Sequence, residues 1–211
     1  MSNSPRIERL FIEGPAGRLE AILELPMELD PVGNAVICHP HPQHGGTMYN
    51  KVAHTLARAF VRSGYASLRF NFRGTEQSDG EYDKGDGELH DALAAIEWMR
   101  ARDPRLPQWI AGFSFGAAIA VKAAVATTVH GLISVAPAIS QFASGLDAQP
   151  RCPWLIVQGD KDELVDIDAT VRWVDGLEPG PELMVISDGE HFFHGRLVEL
   201  RDVVTEFLEN S

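Results

Sequence analysis

The pentapeptide Gly112-Phe113-Ser114-Phe115-Gly116 carries the clearest chemical signal in the sequence. An apolar segment precedes it and an alanine-rich segment follows it, which predicts a strand, a sharp turn and a helix. On such a turn the serine hydroxyl stands above the edge of a sheet, and the helix N-terminus favours negative charge. We therefore predict that Ser114 is the nucleophile of an acyl-transfer reaction. The alternative is a serine that only caps the helix.

A serine hydroxyl needs a general base to become a useful nucleophile, and histidine titrates in the right range. Where the nucleophile lies on a strand-to-helix turn, an acid follows a late strand and the histidine follows the last one. Both places are filled here. The apolar run at residues 154–157 leads to Asp160 and Asp162, and the run at residues 183–186 leads to His191.

The acid and the base each have a competitor. Asp160 stands at the end of its strand, where it would cap the turn through backbone amides, whereas Asp162 lies further along the loop and is better placed to reach a histidine above the sheet. His194 stands at the start of the final helix, where it would cap or pack, whereas His191 lies just past the strand. We predict Asp162 as the acid and His191 as the base.

The segment Asp160-Lys161-Asp162 after an apolar strand also fits the aspartate nucleophile motif of a phosphotransferase. That interpretation leaves Ser114 and His191 without roles, and the motif would stand unusually late in the chain. We therefore favour acyl transfer.

Acyl transfer also needs hydrogen-bond donors aimed at the oxyanion that develops during the reaction. The backbone N–H of Phe115, directly after the nucleophile, is one predicted donor. The second is expected from the loop after the third strand, residues 39–46, whose two prolines have no N–H and stiffen the chain. His41 is the nearest donor past the strand end and is our prediction, with Gln43 next.

The same loop holds three histidines, His39, His41 and His44, which are potential metal ligands. A catalytic zinc site usually adds a carboxylate or a further histidine at defined helical spacing, and none stands nearby. We predict no metal and no cofactor. The rings are expected to form hydrogen bonds within the loop or to line the mouth of the pocket.

Short apolar runs alternate with segments of helical periodicity, a pattern typical of a mostly parallel sheet with helices on both faces. The turn signal Gly14-Pro15-Ala16-Gly17 predicts an antiparallel hairpin at the start. Eight strands are predicted, at residues 6–13, 18–25, 35–38, 65–70, 109–111, 132–135, 154–157 and 183–186. The predicted helices cover residues 50–62, 89–99, 114–126, 167–174 and 197–208.

The length of 211 residues and the absence of a linker or repeat predict a single domain over residues 1–211. The formal net charge of −12 argues against nucleic acid and against anionic membrane surfaces as partners. No signal peptide or transmembrane run is visible, so we predict a cytoplasmic protein. The two cysteines, Cys38 and Cys152, stand in or beside apolar runs and are expected to be buried, reduced thiols.

Five motifs occur together and in order, and on them the sequence resembles a family of small bacterial α/β hydrolases related to dienelactone hydrolases and to serine aminopeptidase-like enzymes. The resemblance implies the α/β-hydrolase fold, with Ser114 as nucleophile, Asp162 as acid, His191 as base and an oxyanion loop over residues 39–46. The motifs are His39-Pro40-His41-Pro42-x-x-Gly45-Gly46-Thr47-Met48, Phe70-Asn71-Phe72-Arg73-Gly74, Gly112-Phe113-Ser114-Phe115-Gly116, Gly159-Asp160-x-Asp162-Glu163-Leu164-Val165 and His191-Phe192-Phe193-His194-Gly195.

Many enzymes of this fold carry a helical cap after the sixth strand, but residues 136–151 are too few to form one. The pocket is therefore expected to be shallow and open, which favours hydrolysis over transfer to another acceptor. Met48, Tyr49, Phe142 and Phe192 are the predicted apolar walls. Because the motif loops offer no clear cation to hold a carboxylate, a small uncharged acyl ester is the expected substrate.

Two other functions stay open from the sequence. The same residues would cleave a peptide or a thioester, and the chain would otherwise be a binding domain on a hydrolase scaffold, although such domains usually lose a catalytic residue. A small acyl compound is the only partner we predict, and the protein is expected to be a monomer or a homodimer.

Overall fold

A single sheet of eight strands forms the centre of the computed structural model, which describes residues 5–27, 30–143 and 148–211. The strand order is β1-β2-β4-β3-β5-β6-β7-β8, with β1 and β2 antiparallel to their neighbours and all other pairs parallel. The predicted mostly parallel sheet is confirmed. The strands are β1 (Arg6–Gly14), β2 (Gly17–Leu25), β3 (Asn34–Cys38), β4 (Ala66–Phe70), β5 (Gln108–Phe113), β6 (Gly131–Val135), β7 (Trp154–Gly159) and β8 (Glu182–Ile186).

Helices cover both faces of this sheet, as predicted, and each face has its own apolar core. On one face lie α1 (Lys51–Arg62) and α6 (Leu197–Asn210), and on the other lie α2 (Asp86–Arg102), α3 (Phe115–Ala126) and α5 (Ile167–Val174). Strands β3 to β7 are buried on both faces, which explains why they appear in the sequence as continuous apolar runs.

Two short elements escaped the sequence analysis, the one-turn helix α4 (Ile139–Phe142) and a 3₁₀ turn at Pro42–His44. Both are too short to show a helical period. Helix α2 begins at Asp86, earlier than predicted, because its first turn is polar and gives no apolar signal. The carboxylate of Glu88 accepts hydrogen bonds from the backbone N–H groups of Asp83 and Gly85, which stabilises this start.

Two buried ion pairs hold the loops above the carboxyl ends of the strands. Arg69 of β4 donates two hydrogen bonds to Glu24 of β2, and its Nη1 donates to the carbonyl oxygen of Met48 at 2.6 Å. Arg73 pairs with both carboxylate oxygens of Asp91 in α2. These pairs anchor the loop after β3 and the loop after β4 to the sheet and to α2.

The connection between β6 and β7, residues 136–153, is too short to form a cap domain. Within its described part, residues 136–143 and 148–153, α4 is the one helix. Among the residues that the structure describes, no helix is long and apolar enough to cross a membrane. Cys38 is buried and Cys152 is half-buried, both are free thiols, and burial raises the pKa of both.

Candidate active site

Ser114 occupies the sharp turn between β5 and α3. Its backbone has a φ of 55° and a ψ of −116°, in a region that L-residues rarely adopt and that costs about 1–3 kcal/mol. A Cβ atom at Gly112 would overlap the backbone of Gly116, and one at Gly116 would overlap the backbone of His39. The glycines therefore allow strand, helix and oxyanion loop to approach one another closely around the serine, as the motif predicts.

Ser114, His191 and Asp162 form one hydrogen-bonded series. The Nε2 atom of His191 lies 3.1 Å from the Oγ atom of Ser114, and its Nδ1 atom lies 2.9 Å and 3.0 Å from the two carboxylate oxygens of Asp162. Strands β7 and β8 pair in parallel, with Gly159 opposite Ile186, so the loops that carry the acid and the histidine leave the sheet side by side. The three residues predicted from the sequence are thus brought together.

The carboxylate of Asp162 is held by more than the histidine. One oxygen accepts hydrogen bonds from the backbone N–H groups of Leu164 and Val165, at 2.9 Å and 2.8 Å. The other accepts a hydrogen bond from the side-chain amide Nε2 of Gln158 at 2.9 Å. Burial raises the pKa of Asp162, but the hydrogen bonds from His191 and from the two backbone groups outweigh burial and bring the pKa below its usual value. The carboxylate therefore stays ionised and fixes the proton of His191 on Nδ1.

The competing residues lie elsewhere. Asp160 is exposed, and within the described residues no backbone N–H donates to its carboxylate. The expectation that Asp160 caps the turn is therefore wrong, because Asp162 accepts those backbone groups as well as the histidine. His194 is 69% exposed and lies 3.4 Å from Glu190 on the surface.

Aromatic rings flank the imidazole of His191. Phe113 is fully buried with its ring 4.9 Å from the imidazole, and the half-exposed Phe192 lies 5.1 Å away on edge. The backbone N–H of His191 donates to Glu163 at 3.3 Å. The ring is thus restrained by packing and by its loop as well as by Asp162.

The two residues predicted to supply the oxyanion donors lie close to each other through their side chains. The rings of His41 and Phe115 have centroids 5.0 Å apart, and Phe115 is the first residue of α3. In the part of the chain that the structure describes, no protein group accepts the backbone N–H of either residue. These two N–H groups therefore meet one requirement of oxyanion donors, namely that no described protein group already occupies them.

His39 connects the oxyanion loop to the loop after β4. Its ring is fully buried, with Nδ1 2.6 Å from the carbonyl oxygen of Pro40 and Nε2 3.0 Å from the backbone N–H of Phe72. Nδ1 must carry the proton, because Nε2 accepts one. Burial lowers the pKa of His39 to about 4, so the ring is neutral at pH 7.

His41 is fixed in the opposite tautomer. Its Nδ1 accepts the backbone N–H of Gln43 at 3.2 Å, which leaves the proton on Nε2, 3.1 Å from the phenol oxygen of Tyr82. Burial, and secondarily His44, lower the pKa of His41. Among the described residues, no group of three or more His, Cys, Asp or Glu side chains is arranged to hold a metal ion.

The four predicted wall residues have different surroundings. Met48 is buried, and its backbone binds Asn71 and Arg69, so it belongs to the interior. Tyr49 and Phe192 are exposed. Phe142 packs on edge against Phe115 with centroids 4.8 Å apart, beside the oxyanion loop.

Two residues around the site were missed from the sequence. Gln158 follows four apolar residues of β7 as a buried amide, and a polar residue in such a strand is a usable signal. Tyr82 is the one aromatic residue in the polar loop at residues 74–85, which is a weaker signal. The sequence does not reveal the partner of either residue. Tyr82 contacts His41, which is 41 residues away in the chain, and Gln158 contacts Asp162 because the loop after β7 folds back onto the strand.

Comparisons with known proteins identify the family of this chain. Residues 18–147 match the family described as X-Pro dipeptidyl-peptidase (S15 family). The chain belongs to the S15 family. The S15 match includes Ser114 and the oxyanion loop and ends before Asp162 and His191.

Relatives of this S15 family member share nearly its whole length. A crystal structure of XC6422 from Xanthomonas campestris, a serine hydrolase without a lid, has a TM-score of 0.93 and 39% identity, covering 100% of this chain and 96% of that one. The structure of an alpha-beta serine hydrolase homologue from Coxiella burnetii has a TM-score of 0.90 and 44% identity, covering 98% of this chain and 97% of that one. The uncharacterized protein RP471 of Rickettsia prowazekii is 30% identical, covering 95% of this chain and 88% of its own. The resemblance to small lidless α/β hydrolases is confirmed.

Proposed function

We propose that this protein hydrolyses carboxylic esters through an acyl-enzyme intermediate on Ser114. The observation that carries the proposal is the hydrogen-bonded series of Ser114, His191 and Asp162, with 3.1 Å between the serine oxygen and the imidazole. A serine hydroxyl within reach of a neutral imidazole, itself oriented by an ionised carboxylate, is the arrangement that nucleophilic acyl transfer requires.

In the first half-reaction the Oγ atom of Ser114 attacks the ester carbonyl carbon and its proton passes to Nε2 of His191. Asp162 stabilises the imidazolium that forms. The backbone N–H groups of His41 and Phe115 bind the oxyanion, and because no described protein group accepts either N–H, no hydrogen bond has to break first. The imidazolium then donates its proton to the alcohol oxygen, which leaves.

In the second half-reaction water replaces the alcohol. His191 accepts a proton from water, the resulting hydroxide attacks the acyl carbon, and the proton returns to Ser114 as the acid leaves. The absence of a cap leaves the site accessible to water, which supports hydrolysis as the outcome.

A second candidate is cleavage of a peptide bond, and the S15 family match favours it. The triad and the oxyanion donors would be the same, since both reactions pass through a tetrahedral intermediate. The leaving group differs, because an amine departs less readily than an alcohol and depends more strongly on protonation by His191. The relative rates on ester and amide substrates therefore separate the two candidates.

A labelling experiment tests the nucleophile. A fluorophosphonate should attach to Ser114 in the folded protein, detectable by mass spectrometry, and Ser114→Ala should remove both label and activity. Ser63→Ala, at the far end of α1, is the matched control and should keep both. Folded protein without an adduct would contradict the proposal. Turnover of an alanyl-prolyl anilide without turnover of p-nitrophenyl acetate would favour the peptidase.

A further inference from the structure

A large cavity lies on the sheet face that carries α3 and α5. Its volume is about 750 Å³, in the range of small-molecule sites. Its lining comes from α3, α4, α5, the start of β7 and the loops that flank them, with Val121, Trp154, Thr170 and Trp173 among the described residues. It lies where α3 and α5 are separated and α4 is only one turn long.

Rigid groups form the base of this cavity. The indole N–H of Trp154 donates to Ser134 at 3.1 Å, and the rings of Trp154 and Trp173 meet edge to face at 5.4 Å. Thr170 is buried, and its hydroxyl donates to the carbonyl oxygen of Asp166. The polar groups of Trp154 and Thr170 are thus satisfied, so the apolar surfaces of these two side chains are free to contact a ligand.

The cavity adjoins the catalytic residues. Ala138, in its wall, donates its backbone N–H to the carbonyl oxygen of Ser114 at 3.3 Å. Leu164 and Val165, also in its wall, donate backbone N–H groups to the carboxylate of Asp162. The wall of the cavity is thus in direct contact with two of the three catalytic residues.

The charge of the lining limits which chemical class of ligand the cavity can bind. Among the described residues that line the cavity, Asp166 alone is charged, and its carboxylate caps α5 by accepting the N–H of Ala169 at 3.0 Å. The described lining has polar side chains, such as Ser140 and Gln141, but no cation that would hold an anionic group. Its aromatic and aliphatic side chains suit hydrocarbon.

We propose that this cavity binds a hydrocarbon chain of the substrate, so that the preferred esters are longer than acetates. The proposal rests on the ester hydrolysis inferred above and replaces the expectation of small acyl groups. None of the four wall residues predicted from the sequence lines the cavity.

Chain length provides the first test. Each methylene that enters the cavity contributes about 0.8 kcal/mol, or up to about fourfold in kcat/KM. One ester series lengthens the acyl chain from two to twelve carbons, and a second lengthens the alcohol. A rise with length in either series supports the proposal and shows which side of the ester enters. Flat profiles in both series contradict it.

Filling the cavity provides the second test. Thr170→Phe places a ring in the cavity and should remove the rise with chain length while leaving the acetyl ester rate within about twofold. Arg172→Phe adds the same ring to the exposed face of α5, outside the lining, and should keep the rise. If Thr170→Phe does not fold, Ala169→Trp at the rim of the cavity replaces it as the filling variant. Equal profiles in the filled variant and the control would overturn the proposal.

Binding can also be measured without catalysis. In Ser114→Ala, 1-octanol should change the tryptophan fluorescence through Trp154 and Trp173, and Thr170→Phe should weaken that binding at least tenfold. Absence of this response in the folded variant contradicts the cavity proposal whatever the activity. Absence of fluorophosphonate labelling together with a normal octanol response would instead contradict the proposed function and leave the cavity as a hydrocarbon site.

Discussion

The phenol oxygen of Tyr82 lies 3.1 Å from Nε2 of His41, across the opening between the loop after β4 and the oxyanion loop. Tyr82 is presented by a loop that Arg73 and Asp91 anchor at one end and Glu88 anchors at the other. Buried carboxylates on α2 are thereby connected, through the Tyr82 loop, to the side chain of His41, the residue whose backbone N–H we assign to the oxyanion hole.

Removing this hydroxyl should slow catalysis. We expect Tyr82→Phe to lower kcat about tenfold with KM nearly unchanged, because the His41 backbone becomes less well positioned. The effect is smaller than the 10²–10³ lost when an oxyanion donor is deleted. Steady-state kinetics on an ester measures it. Tyr65→Phe, on the far side of the sheet beside Trp109, is the control, and an equal loss in both variants would count against the positioning role.

Substitution of the acid should inactivate the enzyme without unfolding it. In Asp162→Asn the histidine loses its ionised partner and adopts the wrong tautomer, so kcat should fall about 10⁴-fold. The amide oxygen still accepts the N–H groups of Leu164 and Val165, and the melting temperature should change little. Asp160→Asn, exposed in the same loop, should keep full activity. Loss of activity in Asp160→Asn alone would reverse the assignment.

His39 should make the stability pH-dependent. Its pKa is about 4 in the folded protein and about 6.5 in an unfolded chain, so the neutral ring stabilises the fold fully above pH 6.5. That contribution is lost as the pH falls from 6.5 to 4, by up to about 3 kcal/mol in the free energy of unfolding. Denaturant titrations at several pH values should show a flatter dependence in His39→Gln. His90→Gln, exposed on α2, should match the wild type, and an unchanged slope in His39→Gln would refute the assignment.

The buried pair of Arg69 and Glu24 should be costly to break on one side. Their side chains are 5% and 1% exposed, so Arg69→Met leaves a buried carboxylate without its main partner. We expect a loss of about 3–5 kcal/mol in unfolding free energy. The double variant Arg69→Met/Glu24→Leu should recover most of it, because no buried charge remains. Urea denaturation measures both, and a double variant no more stable than Arg69→Met would contradict the explanation.

Much of the fold followed from local pattern. Each apolar run forms a strand, because strands buried on both faces need continuous apolar residues. The observed helix ends differ from the predicted ones only where a polar turn hides the apolar periodicity of the helix. The chain order of serine, acid and histidine was also visible, since each follows a strand whose carboxyl end meets the same sheet edge. From the sequence, Asp162 could be preferred over Asp160 only because it lies further along the loop, nearer to the expected histidine. Its contacts with Gln158 and with the turn amides were not foreseeable.

Ser114 on its turn was determined by the sequence itself, because the glycines and the strand-to-helix change that strain its backbone are all within five residues. The partners of Tyr82 and His39, the burial of Met48 and the cavity beside Ser114 were decided only by the tertiary structure. Each depends on how separate elements pack: the loop after β4 against the oxyanion loop, and α3 against α5 where the chain between β6 and β7 forms a single helical turn. Local pattern carries no record of such distances, because they arise from the packing of residues far apart in the chain.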